Sequence, residues 1–156
     1  MPKRHSSKAL LMPNKIDNTY RGIPLAKYCF YLITAITIIR SCIHILAPDG
    51  GAESIATIPL GSYSAEAAAT AIYLFAVWGL SQLIIGLMYL VVLWRYKSLI
   101  PLMYVTVFIE YTARIIIGAL KPVALSGVAP GGVANYIMAP LSLVMLYISQ
   151  KEKILE

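Results

Sequence analysis

Four long apolar runs alternate with polar or proline-marked breaks along this chain. The first covers residues 26–47 and stops at Pro48-Asp49-Gly50-Gly51, a strong helix breaker. The second covers 67–94, the third covers 99–120 and is closed by Lys121-Pro122, and the fourth covers 133–149 with Pro140 inside it. About 20 helical residues cross a hydrocarbon core of about 30 Å, so the first three runs are long enough to span. The fourth is short, and spans either by starting earlier, near Ala124, or by local thinning of the bilayer. Pro140 is expected to kink it. The pattern predicts an all-α protein, an integral membrane bundle of four transmembrane helices. Residues 1–24 form an irregular basic tail with at most a short surface helix, 25–150 form the transmembrane domain, and 151–156 form a short C-terminal tail.

Polar residues within the runs are not scattered. At 100° per residue, Thr34, Thr37, Arg40, Ser41 and His44 share one arc of about 120° on the first helix. Trp78, Gln82, Gly86 and Tyr89 line one face of the second. Thr106, Glu110 and Arg114 form a narrow stripe on the third that continues to Lys121. Asn135, Ser142 and Ser149 recur every seven residues on the fourth. Turning all four stripes inward and the apolar remainder outward gives a bundle with a polar interior. Gly79 and Gly86 are expected to permit close helix approach, and the Ser and Thr hydroxyls to bond between helices. The short connection Arg95-Tyr96-Lys97-Ser98 makes the second and third helices antiparallel neighbours. Ser64 is positioned as an N-cap with Glu66 in the first turn. Tyr28, Trp94, Tyr96 and Tyr147 fall near run ends, as interfacial anchors do.

Charge sets the expected orientation. Lys3, Arg4, Lys8, Lys15, Arg21 and Lys27 precede or open the first run; Arg95 and Lys97 lie in the second connection; Lys151 and Lys153 follow the last run. Only Lys121 falls on the opposite side. Lys and Arg accumulate on the cytoplasmic side, so the expectation is N-in, C-in. No signal peptide is expected, because the region before the first run is long, that run contains Arg40 and His44, and no small-x-small site follows.

Composition narrows the class further. Of 156 residues, 59% are hydrophobic and 13% charged, and the mean hydropathy is +0.74. A soluble domain carries about a quarter of its residues as charges, so this chain is too charge-poor to coat one. The net charge of +6 arises mostly from membrane flanks, and no groove-reading or base-stacking motif accompanies it, so no nucleic-acid partner is expected. Cys29 and Cys42 lie about 20 Å apart along one helix, beyond disulfide reach, and are read as inert thiols.

The ionisable residues within the runs define one layer. Arg40, His44, Trp78, Gln82, Glu110, Arg114 and Asn135 fall at similar depth, in the half of the membrane farther from the termini, and are the candidate ligand-binding residues. Glu110 and Arg114, four apart, share a face and can pair. That pair is either a structural lock or part of a ligand or proton site. Arg40 is expected to share Glu110, to extend outward, or to meet Glu66. Two arginines against one carboxylate leave the layer net positive, which favours an anion or a polar headgroup. His44 has no second histidine within a run, so no metal site is expected. No nucleophile elbow, zinc helix, phosphate loop or dinucleotide fingerprint occurs, so no catalytic residue and no cofactor is assigned.

The residues Trp78-Gly79-Leu80, Gly86, Arg95-Tyr96, Glu110-Tyr111, Arg114 and Gly118 resemble a pattern in small bacterial four-helix membrane proteins of an uncharacterised family, loosely DoxX-like, over residues 26–150. The resemblance implies a four-helix fold, a bacterial cytoplasmic (inner) membrane and, for some members, a place beside a quinone-linked oxidoreductase. It transfers no catalytic residue. Three functions remain open: an accessory or assembly subunit of a membrane complex, which is the leading expectation; a binding or transport protein whose cationic layer holds an anionic amphiphile, lipid or quinone-like; and an intramembrane acid–base enzyme using Glu110 or His44. The expected partners are the lipid bilayer, membrane protein subunits or further copies of the chain, and a lipid or quinone.

Overall fold

The computed structural model describes residues 11–151. It is all-helical, with α1 at Pro24–Leu46, α2 at Ala65–Arg95, α3 at Ile100–Leu120 and α4 at Pro130–Ser149. All four are long and apolar enough to cross a membrane. Lys3, Arg4, Lys8 and Lys153, four of the charges used for orientation, lie outside the described residues.

Local chemistry explains the boundaries. Pro24 sits in the first turn of α1, where its missing N–H costs nothing. The helix stops at Ala47, which is extended (φ −68°, ψ 141°) because the Pro48 ring disfavours a helical residue before it. Ser64 caps α2 by accepting from the Ala67 N–H at 3.3 Å. At 31 residues α2 is about 46 Å long, well over the hydrocarbon thickness. The helix α4 begins at Pro130, three residues before the expected start and well after Ala124. Its 20 residues make it about 30 Å long, so it crosses without thinning, as one helix through Pro140.

The helices associate as two pairs. The helix α1 packs along α2, and α3 packs along α4. The close approach of α1 and α2 depends on two glycines. A Cβ at Gly79 would lie 2.6 Å from the His44 Cβ, and one at Gly86 would lie 2.8 Å from the Ile38 Cγ1. The expectation that α2 and α3 are close neighbours is corrected. A turn of 3₁₀-helix at Lys97–Leu99 joins them, yet they touch only lightly along their length. Connection length makes them antiparallel, but it does not make them pack when each has a better partner.

The pairs meet in the half of the bundle that carries the termini, here called the terminal end. Ala26, Phe30, Tyr89, Leu93, Ile100, Tyr104, Val107 and Met145 form one core there. Phe30 stacks against Tyr89 and Tyr104 at ring distances of 5.1 and 5.5 Å. The Tyr104 hydroxyl donates to the Ala26 carbonyl at 2.6 Å, and Tyr89 shares a 3.1 Å hydrogen bond with Thr106. Residues 11–23 contain no helix and run across this end. The Ser98 hydroxyl donates to the Asp17 carbonyl, Arg21 pairs with the Asp17 carboxylate at 2.5 Å, and Gly22 abuts the Ser149 carbonyl so closely that no Cβ fits. The Arg21 guanidinium holds the Asp17 carboxyl below its usual range.

The expectation of interhelical hydroxyl bonds holds at Thr106, which meets Tyr89 across α2 and α3, and is corrected for the other hydroxyls of the stripes. Thr34, Thr37 and Ser41 donate to the carbonyls of Phe30, Ile33 and Thr37, four residues back on their own helix. Ser142 and Ser149 donate to Ala139 and Leu146. A hydroxyl facing apolar neighbours satisfies itself on the nearest carbonyl, which leaves a small, effectively apolar surface for packing.

At the opposite, loop end, residues 48–63 fold onto the α1–α2 pair. Ala52, Ile58 and Leu60 are buried against Ala68, Ile72 and Phe75 of α2. Asp49 organises the turn by accepting from the N–H groups of Gly51, Glu53 and Ser54. Those bonds, Ser54 first, pull its carboxyl down to about 2.

Candidate cationic site

Arg40 sits at the margin of the buried arc of α1, between buried Thr37 and His44 on one side and exposed Ile36 and Ile43 on the other. Its guanidinium donates to the Gln82 Oε1 at 2.8 Å and lies 5.7 Å from the centre of the Trp78 ring. Of the two partners expected for Arg40, Glu110 and Glu66, neither takes this bond. Gln82 stands directly across the close α1–α2 contact, whereas Glu66 lies exposed in the first turn of α2. The Arg40 Nε is buried without a hydrogen-bond partner among the described residues, a cost unless something else accepts from it.

Arg114 approaches Trp78 from α3. Its guanidinium lies 4.8 Å from that ring and 5.4 Å from the Tyr111 ring, and it forms an ion pair with Glu110 one turn back. Side-chain exposures are 18% for Arg114 and 21% for Glu110, so both are largely withdrawn from the surface. Indole is the strongest aromatic partner for a cation. Trp78 is therefore the shared element: one ring within reach of two guanidinium groups that come from different helical pairs. The two charges are at most about 10.5 Å apart, and at an effective dielectric of about 20 they repel by at least about 1.6 kcal/mol. A single carboxylate offsets them.

His44 also packs against the indole, ring to ring at 4.8 Å, and edge-on against Phe75 at 5.6 Å. Its Nδ1 is 2.7 Å from the Gly50 carbonyl. It thereby ties the loop to the layer. Contacts join six of the seven candidate residues, whereas Asn135, half-buried on α4, makes no side-chain hydrogen bond among the described residues. The α4 stripe turns inward at Ser142 and Ser149, near the terminal end, where the pairs touch. Higher up, Tyr136 and Ile137 are exposed.

Tyr111, Phe75 and the Gly50 carbonyl complete the site without having been expected. Tyr111 stands three residues before Arg114 and Phe75 three before Trp78, so helical spacing offers both as neighbours. The loop carbonyl leaves no signal in the sequence.

The structure defines an all-α protein with four helices of membrane-crossing length and a cationic, aromatic layer held mainly by three of them. Comparison with family models, curated proteins and solved structures finds no match for the chain.

Proposed function

We propose that this is a small multi-pass membrane protein that binds an anionic amphiphile at the Arg40–Trp78–Arg114 layer. The observation that carries the reading is the pair of guanidinium groups beside one indole, of which only Arg114 is paired with a carboxylate among the described residues. Charged side chains at membrane depth are costly and mark functional sites by default. A purely structural layer is better served by matched charges. Here one positive charge is left over, and one buried N–H of Arg40 has no acceptor. An anionic headgroup supplies both the charge and the acceptor. The Lys and Arg bias supports an orientation with both termini in the cytoplasm, which places the layer in the half of the membrane away from the cytoplasm. A bacterial inner membrane is the setting that the DoxX-like resemblance implies.

The test is purification in a mild neutral detergent followed by native mass spectrometry with added dioleoyl phosphatidic acid, oleate and dioleoyl phosphatidylcholine. The parent is expected to retain one anionic amphiphile and to release the neutral lipid. Arg40→Gln is expected to weaken retention at least tenfold. Equal retention of the neutral lipid, or no effect of the substitution, refutes the reading. The alternative of an accessory subunit is favoured by the uncovered loop-end halves of α3 and α4. Co-purification of a stoichiometric protein in place of a lipid decides for it.

A further inference from the structure

At the loop end the two helical pairs are tied by a latch between the two loops, and α3 beyond Arg114 is exposed. The Ser126 N–H and hydroxyl both donate to the Thr57 carbonyl, at 2.8 and 3.0 Å, and the Thr57 hydroxyl donates to the Gly127 carbonyl at 3.0 Å. Among the described residues, these are the hydrogen bonds that join the two helical pairs at this end. Thr57 has φ +57°, a left-handed conformation that a β-branched residue adopts only when its surroundings hold it there. The loop that bears it is fixed to α1–α2 through the buried Ala52, Ile58 and Leu60 and through the contact of His44 with Gly50.

Below the latch the side of the bundle is not closed. Gly118 lies one turn beyond Arg114, on the same face of α3 as Val107 and Tyr111, which are buried nearer the terminal end. A Cβ at Gly118 would meet nothing within 4 Å, nor would one at Gly131 or Gly132 at the start of α4. The inward face of α3 therefore runs from the packed core, past Arg114, into open space. Lys121, three residues further on and exposed, puts another positive charge at the edge of that space. On α1, Ile36 and Ile43, which flank Arg40, are 49% and 38% exposed.

We infer that the anionic amphiphile reaches the Arg40–Trp78–Arg114 layer sideways from the membrane, through the opening beside Gly118, while the Thr57–Ser126 latch stays shut. The inference rests on the reading of the layer as an anion site and adds its route and source. The ligand is a membrane lipid whose charged head slides under the latch while its chains remain in the bilayer. A soluble phosphate, carrying no chain, has no such route.

A disulfide tests the route. A Cβ at Gly127 would lie 3.9 Å from the Thr57 Cβ, the separation a disulfide requires. Thr57→Cys with Gly127→Cys, in a full-length protein with Cys29→Ala and Cys42→Ala, locks the latch. Trp94→Phe leaves Trp78 as the only tryptophan. The protein is placed in phosphatidylcholine vesicles and titrated with phosphatidic acid carrying brominated chains, which quenches the indole on contact. Quenching is expected with the same midpoint, within twofold, in the oxidised and reduced protein. Inorganic phosphate and glycerol phosphate are expected to leave it unchanged. Loss of quenching on oxidation, recovered on reduction, overturns the side route while leaving the anion site standing. Competition by glycerol phosphate equally overturns the membrane source. No quenching in either redox state refutes the anion site itself. If the disulfide does not form, Ser126→Ala loosens the latch instead. Capture of the brominated lipid is then expected at an unchanged rate, and a tenfold acceleration makes the latch the door.

Discussion

Removing the charge of Glu110 separates the two roles of the layer, because it should lower stability and raise anion affinity together. Glu110→Gln keeps the shape of the side chain and its hydrogen-bonding capacity, but leaves Arg114 without its ionic partner. Breaking a buried pair costs about 3–5 kcal/mol. Here the guanidinium keeps two aromatic faces, Trp78 and Tyr111, and a cation–π contact contributes about 0.5–2 kcal/mol. Both side chains also keep about a fifth of their surface exposed. The expected loss is therefore about 2–3 kcal/mol, or a fall in Tm of about 4–12 °C for a chain of this size, measured by thermal unfolding in detergent. Glu110→Gln with Arg114→Met leaves no unpaired charge and should recover most of the fall. The affinity moves the other way in the single variant. A carboxylate removed within about 8 Å of a bound anion relieves about 2 kcal/mol of repulsion at an effective dielectric of 20, so brominated phosphatidic acid should bind at least tenfold tighter. A single variant as stable as the parent would show that the ion pair does not contribute. A destabilised variant with unchanged affinity would leave the pair as a structural lock and remove the electrostatic basis of the proposed function.

Three further expectations follow from particular residues. A reporter active only in the cytoplasm should be active when fused after Glu156 and silent when inserted at Gly61; the reverse result inverts the orientation and moves the layer to the other half of the membrane. Gly79→Ala forces a Cβ to within 2.6 Å of the His44 Cβ and should cost about 1–3 kcal/mol, whereas Gly118→Ala meets nothing and should be neutral or stabilising by up to about 1 kcal/mol, both read by thermal unfolding. The Asp49 carboxyl, depressed to about 2 by the loop N–H groups, contributes stability that is fully present above its unfolded value near 4 and is lost as the pH falls from about 4 to about 2. Amide exchange or proteolysis of residues 49–56 should accelerate across that window in the parent, and Asp49→Asn should abolish the pH dependence.

Helix number, approximate length and the facing of α1 and α2 were legible in the chain because they depend on local terms alone; on α3 the buried face is instead Ile100, Tyr104, Val107 and Tyr111, and Thr106 of the expected stripe is exposed. An apolar run of some 20 residues, a proline in the first turn, Ser64 before α2 and Pro48 after α1 each act within a few residues of themselves. Their combined effect needs no knowledge of the neighbours. The inward arc of α1 was legible for the same reason: Thr34, Thr37, Ser41 and His44 repeat with the helical period, and all four are buried. The equal depth of Arg40, Trp78, Gln82, Glu110 and Arg114 followed from counting along antiparallel helices. What periodicity does not encode is which helix faces which. That is decided by surface fit between elements distant in sequence. Gly79 and Gly86 draw α1 so close to α2 that Arg40 finds Gln82 rather than Glu110. The aromatic core of Phe30, Tyr89 and Tyr104 joins the pairs at one end only. Asn135 has the right period and the right depth, yet its side chain makes no hydrogen bond to the layer among the described residues. The latch is further still from the sequence. Thr57 and Ser126 are 69 residues apart, in two loops without pattern, and meet only because the packing of four helices brings those loops together.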